Sequence, residues 1–221
     1  MREPYHTIIS QSRGEITEKR SRFIGDLAPA ACEQEALEFI EQIKKTHPDA
    51  RHHCFAFLCP SCHDGPEITR VSDDGEPSQT AGLPILHALQ GAGLHEVCLV
   101  VTRYFGGTLL GTGGLSRAYA EAAAEAVRAA EIIEKIPAFL GRLEIDYTHV
   151  GRLGGMLAAH GVRSLKEDWA DRVTYRLLVP ETSAEAFAAA VTELTSGRSR
   201  VDFGDPVFFA MVDGTPRMFE T

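Results

Sequence analysis

The sequence predicts an α+β protein of two domains. Three observations predict it. Strand-like alternation and helix-like periodicity are interleaved through residues 1–136, residues 139–210 run strand, helix, strand, strand, helix, strand, and Pro137 interrupts the chain between them. The second run is the ferredoxin-like order. A length of 221 residues suits one to two domains and is enough to bury a core, and 44% hydrophobic with 24% charged residues is ordinary globular composition. The expected domains are therefore 1–136 and 137–221.

Taken in order, residues 5–10 and 14–28 alternate apolar and polar, with Gly14 as a turn signal, and read as strands. Between 32 and 46, Ala36, Phe39, Ile40 and Ile43 recur at helical spacing with Glu33, Glu35, Glu38 and Glu41 on the other side. That is an amphipathic helix, ended before His47-Pro48. Residues 53–59 form a short Phe-rich strand, 60–66 a polar hairpin loop, and 68–71 its partner. Thr80 is placed to cap a helix that has Pro84 near its start, Leu83, Leu86 and Leu89 on one face, and Gly91 or Gly93 as its stop. Residues 97–102 are β-branched and continuously apolar, as a central strand buried on both faces would be. A helix is predicted from near Gly113 to about Lys135, with a small-residue stripe of Ala118, Ala122, Ala126 and Ala129 or Ala130 that can press closely on a sheet. Beyond Pro137 the expected strands are 139–147, 162–168, 172–179 and 201–210, and the expected helices 150–160 and 183–194.

Net charge is −9 and is spread, with 13 basic and 19 acidic side chains in residues 1–137 and 9 and 12 in 138–221. Neither part has the Lys/Arg excess that drives counterion release on a nucleic acid, so nonspecific binding is disfavoured. The densest basic group, Arg13, Lys19, Arg20 and Arg22, reads as a solvated hairpin face. No run approaches the roughly eighteen apolar residues of a membrane helix, and the N-terminal residues lack the apolar core of a signal peptide, so a cytoplasmic protein without membrane contact is expected. Five cysteines, an odd number, fit a reducing compartment. Cys59-Pro-Ser-Cys62-His63 has half of a zinc spacing, with Cys54 and His52 or His53 upstream, but the second pair would have to come from inside a predicted strand. Buried or loop thiols are expected instead, and no metal site is assigned.

Two dense segments stand apart from the rest. The first, 72–84, packs Asp73, Asp74 and Glu76 beside Gly75 and Pro77 and runs on to Thr80. Its carboxylates could coordinate Mg²⁺ together with a phosphate, or supply a general base. The second, 100–119, leaves the apolar strand through Arg103 and Tyr104, crosses Gly106, Gly107, Gly111, Gly113 and Gly114 with Thr112 among them, and enters a helix bearing Arg117. Strand, glycines, then helix start is an arrangement that presents backbone N–H groups to an anion. It is neither a Walker loop, since Thr112-Gly113 follows Gly111 where Lys-Ser/Thr is required, nor a dinucleotide fingerprint. The glycines read equally as tight turns and close helix–sheet packing. The arginines read equally as partners that hold the acidic loop in shape. No nucleophile signature appears, because Ser78 and Ser116 lack a G-x-S-x-G elbow, and His52, His53, His63 and His87 are unplaced. The candidate binding set is Asp73, Asp74, Glu76, Thr80, Arg103, Tyr104, the five glycines, Thr112 and Arg117. No catalytic residue is assigned.

Ser72-Asp-Asp-Gly-Glu-Pro-Ser-x-Thr-Ala-Gly-x-Pro84 and Val101-Thr-Arg-Tyr-Phe-Gly-Gly-x-x-Leu-Gly-Thr-Gly-Gly-Leu115, extended by Arg117-Ala-Tyr119, resemble the two signature blocks of the YigZ/IMPACT family. His53 matches as well. The resemblance spans residues 18–130, and the C-terminal region is similar to the second domain of the bacterial members. Gln79 stands where the family has Gly, and Leu83 where it has Lys or Arg, which removes a basic side chain from any phosphate contact there. Thr108 and Ser116 replace more apolar residues. The resemblance implies an N-terminal domain like the second domain of the fifth small-subunit ribosomal protein, a fold shared with elongation factor G and with small-molecule kinases of the galactokinase and homoserine kinase type. It implies a C-terminal domain like the last domain of elongation factor G. Eukaryotic relatives restrain a starvation-responsive translation kinase by competing for its activator. The resemblance thus points to a noncatalytic regulator that binds RNA, the ribosome or a translation factor. The alternative is a Mg²⁺-dependent enzyme acting on a phosphorylated or nucleotide substrate at the glycine loop.

Overall fold

The computed structural model describes residues 2–60 and 66–219, so Cys62 and His63 of the cysteine group lie outside the described residues. The elements are β1 (Tyr5–Ile8), β2 (Ser12–Glu18), β3 (Ser21–Pro29), α1 (Glu33–Thr46), β4 (His52–Cys59), β5 (Ile68–Ser72), α2 (Gly82–Gly91), β6 (Val97–Tyr104), α3 (Gly111–Arg128) and β7 (Ile132–Ile145). They continue with α4 (Tyr147–Ala159), β8 (Arg163–Trp169), β9 (Val173–Pro180), α5 (Ala184–Leu194), β10 (Val201–Val212) and β11 (Thr215–Phe219). The fold is α+β, in two compact units: Tyr5–Ile133, and Glu134–Thr221 together with Met1–Pro4. The division falls inside β7, ahead of the expected boundary. Pro137 is no linker; it lies within the strand opposite Phe208.

In the first unit five antiparallel strands run in the order β2-β3-β6-β4-β5. The continuous apolar run of β6 is explained by burial on both sides. Leu99 and Val101 pack with α2 and α3, while Cys98 and Val100 pack with α1 through Ala36, Phe39, Ile40 and Ile43. Burying each large aliphatic or aromatic side chain contributes about 1.5–3 kcal/mol.

Gly14 does not make the turn. It sits in the middle of β2, and the β2–β3 hairpin turns at Lys19 and Arg20, with φ of 46° and 68°. A Cβ on Gly14 would lie 2.3 Å from the Ala126 nitrogen, and one on Gly25 2.7 Å from the Ala122 oxygen. These two glycines let the alanine face of α3 rest directly on the sheet. The same helix stops at Arg128, short of the expected Lys135. From Ile132 the burial pattern alternates, the period of a strand, and the β-branched Ile132-Ile133 pair outweighs the helical propensity of the neighbouring Glu and Lys.

In the second unit the order is β11-β10-β7-β9-β8, all antiparallel. Leu143, Ile145, Tyr175 and Leu177 on the sheet pack with Leu153 of α4 and Phe187 and Val191 of α5. The predicted succession of strands and helices is present. α4 starts three residues earlier than the periodicity suggests, because the Asp146 carboxylate accepts the Thr148 N–H at 2.9 Å and caps it. β11 was not expected. Asp213-Gly214, with φ of 49° and 76°, supplies the tight turn that joins it to β10. No helix of the described residues is long and apolar enough to cross a membrane.

Candidate functional site

Both dense segments belong to the first unit and meet at the end of β6. Alternation along that strand sends Arg103 to the α2/α3 face and Tyr104 to the α1 face. The pairing sets His52 on one side of Arg103 and Phe23 on the other.

The acidic loop between β5 and α2 is held from within. Asp73 Oδ1 accepts the N–H groups of Ala81 and Gly82, both at 2.9 Å, and its Oδ2 accepts that of Gln79 at 2.7 Å. Burial alone would raise the Asp73 pKa, but these three donors together hold it below the usual carboxylate value. Asp73 is therefore the cap of α2. Thr80, expected in that role, instead donates its hydroxyl to the Pro77 carbonyl at 2.6 Å and is buried, one residue ahead of the cap position Ala81. Asp74 accepts the His53 N–H at 2.6 Å, and its carbonyl oxygen lies 2.8 Å from His52 Nδ1. Glu76 Oε1 accepts from Arg103 Nη1 at 2.6 Å and from the Tyr119 hydroxyl at 2.8 Å. The Arg103 and Glu76 side chains are 7% and 4% exposed. The guanidinium carbon lies 5.4 Å from the centre of the Phe23 ring and 5.5 Å from that of Phe105.

Of the two readings of the acidic loop, then, the ion pair with an arginine is the one observed. All three carboxylates have internal partners, and among the described residues no group of three or more His, Cys, Asp or Glu side chains converges as a metal site. Cys54 donates its thiol to the Asp73 carbonyl at 3.0 Å, and burial pushes its pKa up, so it is a structural thiol rather than a reactive thiolate.

The glycine loop divides by role. A Cβ on Gly106 would lie 2.1 Å from the Arg20 carbonyl carbon, and the Gly106 N–H donates to Ser21 Oγ at 3.1 Å, so this glycine seats the loop on the β2–β3 hairpin. Gly107 and Gly111 have φ of 85° and 71°, the left-handed region. Thr112, Gly113 and Gly114 form the first turn of α3, where Leu110 stands at the cap position and offers no side-chain hydrogen bond. Arg117 is exposed beside them and does not join Arg103 on the acidic loop.

A cleft of about 490 Å³ opens at Arg103 and Tyr104. It is also lined by Asp49, Arg51, His52, Phe105 and Leu109, none of which belongs to the binding set read from the sequence. A signal for two of them existed: Phe105 and Leu109 are large apolar residues inside a glycine-rich loop, and they are 56% and 84% exposed. His47 was also missed. Its Nδ1 lies 3.0 Å from the Tyr104 hydroxyl, and its Nε2 lies 4.0 Å from Asp26 Oδ2. Arg13 Nε donates to the other Asp26 oxygen at 2.7 Å. Burial lowers the His47 pKa, against the pull of Asp26.

The model of the Impact N-terminal domain matches residues 19–127, and a domain of unknown function (DUF1949) matches residues 143–198. IMPACT family member YvyE of Bacillus subtilis is 37% identical over 205 residues, 93% of each chain. An IMPACT family member of Thermus thermophilus is 39% identical over 83% of this chain and 98% of its own. Protein IMPACT of Oryctolagus cuniculus is 33% identical over 99 residues, 43% of this chain and 30% of that protein. Among solved structures, a crystal structure of a hypothetical protein superposes with a TM-score of 0.59 at 32% identity, covering 93% of this chain and 99% of that one. With both segments and both units accounted for along nearly the whole length, this chain belongs to the IMPACT family.

Proposed function

We propose that this protein is a noncatalytic binding protein of the translation apparatus, acting in the cytoplasm on RNA, the ribosome or a translation factor. Its contact surface is the loop and helix start at residues 105–117. One observation carries this reading: the carboxylates of the acidic loop are engaged internally, while Phe105 and Leu109 stand out at 56% and 84% exposure beside an uncapped helix start and Arg117. Family membership supports the translation setting through the resemblance to the eukaryotic regulators. In this reading the first unit is like the second domain of the fifth small-subunit ribosomal protein. The second is ferredoxin-like, as its central order β10-β7-β9-β8 suggests.

A Mg²⁺-dependent reaction that drew on both oxygens of Asp73 or on Glu76 Oε1 would compete with the backbone N–H groups, the Arg103 guanidinium and the Tyr119 hydroxyl they now accept from. Freeing them would dismantle the cap of α2 and leave Arg103 buried without its ion-pair partner, so that reading is not adopted.

The test is co-sedimentation of the full chain with ribosomes and with ribosomal RNA, comparing wild type with Leu109→Ser/Arg117→Ala. Both side chains are exposed, so the fold is retained. Binding should weaken about tenfold, the effect of losing ~1.4 kcal/mol. Equal sedimentation of the two proteins overturns the assignment of the surface.

A further inference from the structure

We propose that the cleft beside Tyr104 is a nucleotide site: a base enters it, stacks on Phe105 and is held at its edge by Asp49 and Arg51, while the phosphate lies toward Arg117 and the start of α3. This rests on the reading of residues 105–117 as the contact surface and names the chemistry that surface recognises.

The volume, about 490 Å³, lies in the range of roughly 300–1,000 Å³ typical of small-ligand sites. The apolar part of its lining is already in place. Phe105 and Leu109, separated by only three residues, both line one cleft and both leave most of their surface to water. The Tyr104 ring is held by its hydroxyl contact with His47 and by an edge-to-face approach at 5.9 Å. Arg103 in turn approaches the Phe105 ring. A flat ring fits such a lining, because every base offers a π-face and aromatic stacking is tolerant of sequence.

Charge decides what sits where. Arg103 lines the cleft, but Glu76 cancels its charge at 2.6 Å, and its Nε has no hydrogen-bond partner among the described residues. The two exposed charges that remain, Asp49 and Arg51, are of opposite sign. The lining is therefore close to neutral, which suits an uncharged planar group with donors and acceptors at its edge better than it suits a bare phosphate. His52 adds one more polar edge, since only its Nδ1 is committed to the Asp74 carbonyl. Positive character is found two residues beyond Leu109, where α3 begins without a side-chain cap and Arg117 is exposed. A chain of net charge −9 gains little from long-range attraction to a polyanion, so recognition through stacking and edge contacts is what its electrostatics permit.

The same chemistry could come from a free nucleotide or from one residue of single-stranded RNA. The experiment is amide-resolved NMR titration of the full chain with AMP, CMP, GMP and UMP, with ribose 5-phosphate and inorganic phosphate as controls, and with single-stranded hexaribonucleotides. At least one mononucleotide should shift the amides of Arg51, Phe105 and Leu109 where the two controls do not. Phe105→Ala should weaken binding about tenfold, in the range seen for a lost stack, and Phe105→Leu, which keeps bulk but not a flat face, should weaken it nearly as much. A hexamer that binds the same residues more tightly identifies RNA as the source; equal affinity identifies the free nucleotide. The inference is overturned if no nucleotide or hexamer moves these amides, or if Phe105→Ala leaves the affinity unchanged. If Leu109→Ser/Arg117→Ala nevertheless abolishes ribosome co-sedimentation, the surface stands and recognition there is of a protein; if neither effect is seen, both readings fall.

Discussion

Glu76→Gln keeps the shape of the side chain and removes only its charge, so it isolates the ion pair with Arg103. With side chains only 4% and 7% exposed, water cannot replace the lost partner. Leaving one member of a buried pair uncompensated costs about 3–5 kcal/mol. The glutamine oxygen can still accept from Tyr119 and Arg103, which returns about 1 kcal/mol, so a net loss of about 2–4 kcal/mol is expected. For a unit the size of Tyr5–Ile133, this lowers the melting temperature by on the order of 10 °C. The chain has two units, so one transition is not assumed. Hydrogen exchange of the β4 and β6 amides reports the unit that carries the substitution. The single tryptophan, Trp169 in β8, reports the other by fluorescence. Glu76→Gln/Arg103→Met removes both charges and should recover most of the loss, because apolar replacement of a whole buried pair is often neutral. A single variant within about 1 kcal/mol of wild type, or a double variant no more stable than the single, would refute the view that this pair anchors the loop.

Asp73→Ala removes the carboxylate that accepts from three backbone N–H groups at the start of α2 and should cost about 2 kcal/mol in chemical denaturation. Because the folded-state pKa of Asp73 is depressed, its contribution is complete above the unfolded value of about 3.9 and is lost as pH falls through the lower folded value. The gap between variant and wild type should therefore hold at neutral pH and close only below about pH 4. His47 acts in the same sense but at higher pH: burial lowers its folded pKa, so below about 6.5 the unfolded chain binds the extra proton and stability declines as pH falls. His47→Gln should flatten the denaturation midpoint across about pH 5–6.5 relative to wild type; an unchanged slope would show that other groups set it.

The elements were legible wherever one period dominated. α1 is found from its four apolar positions and β6 from its unbroken apolar run, since burial on one face or on both writes itself into local sequence. What local sequence does not carry is the identity of a partner far along the chain. Gly14 reads as a turn because glycine often makes one, yet its reason is a helix more than a hundred residues later that leaves no room for a Cβ. Thr80 reads as a cap from its position, whereas the actual cap, Asp73, reaches across the loop from the end of β5. The cleft is subtler still, because Asp49 and Arg51 belong to the α1–β4 connection and Leu109 to the β6–α3 connection, which only the β4–β6 pairing brings together.

The two dense segments contain the functional groups of a metal and phosphate site, but composition counts groups while the fold assigns their lone pairs. Asp73 has three donors, Asp74 has the His53 N–H, and Glu76 has Arg103 and Tyr119. A ligand that drew on those oxygens would first have to break hydrogen bonds to charged groups, each worth about 1.5–3 kcal/mol, inside the loop that positions α2. Recognition at that cost would unfold the platform on which it depends. Groups that a ligand can reach without such a cost include the exposed surfaces of Phe105 and Leu109, Asp49 and Arg51, Arg117, and the first N–H groups of α3. The acidic segment thus acts on function through position. It fixes Arg103, and Arg103 lies against the Phe105 ring at the base of the exposed loop.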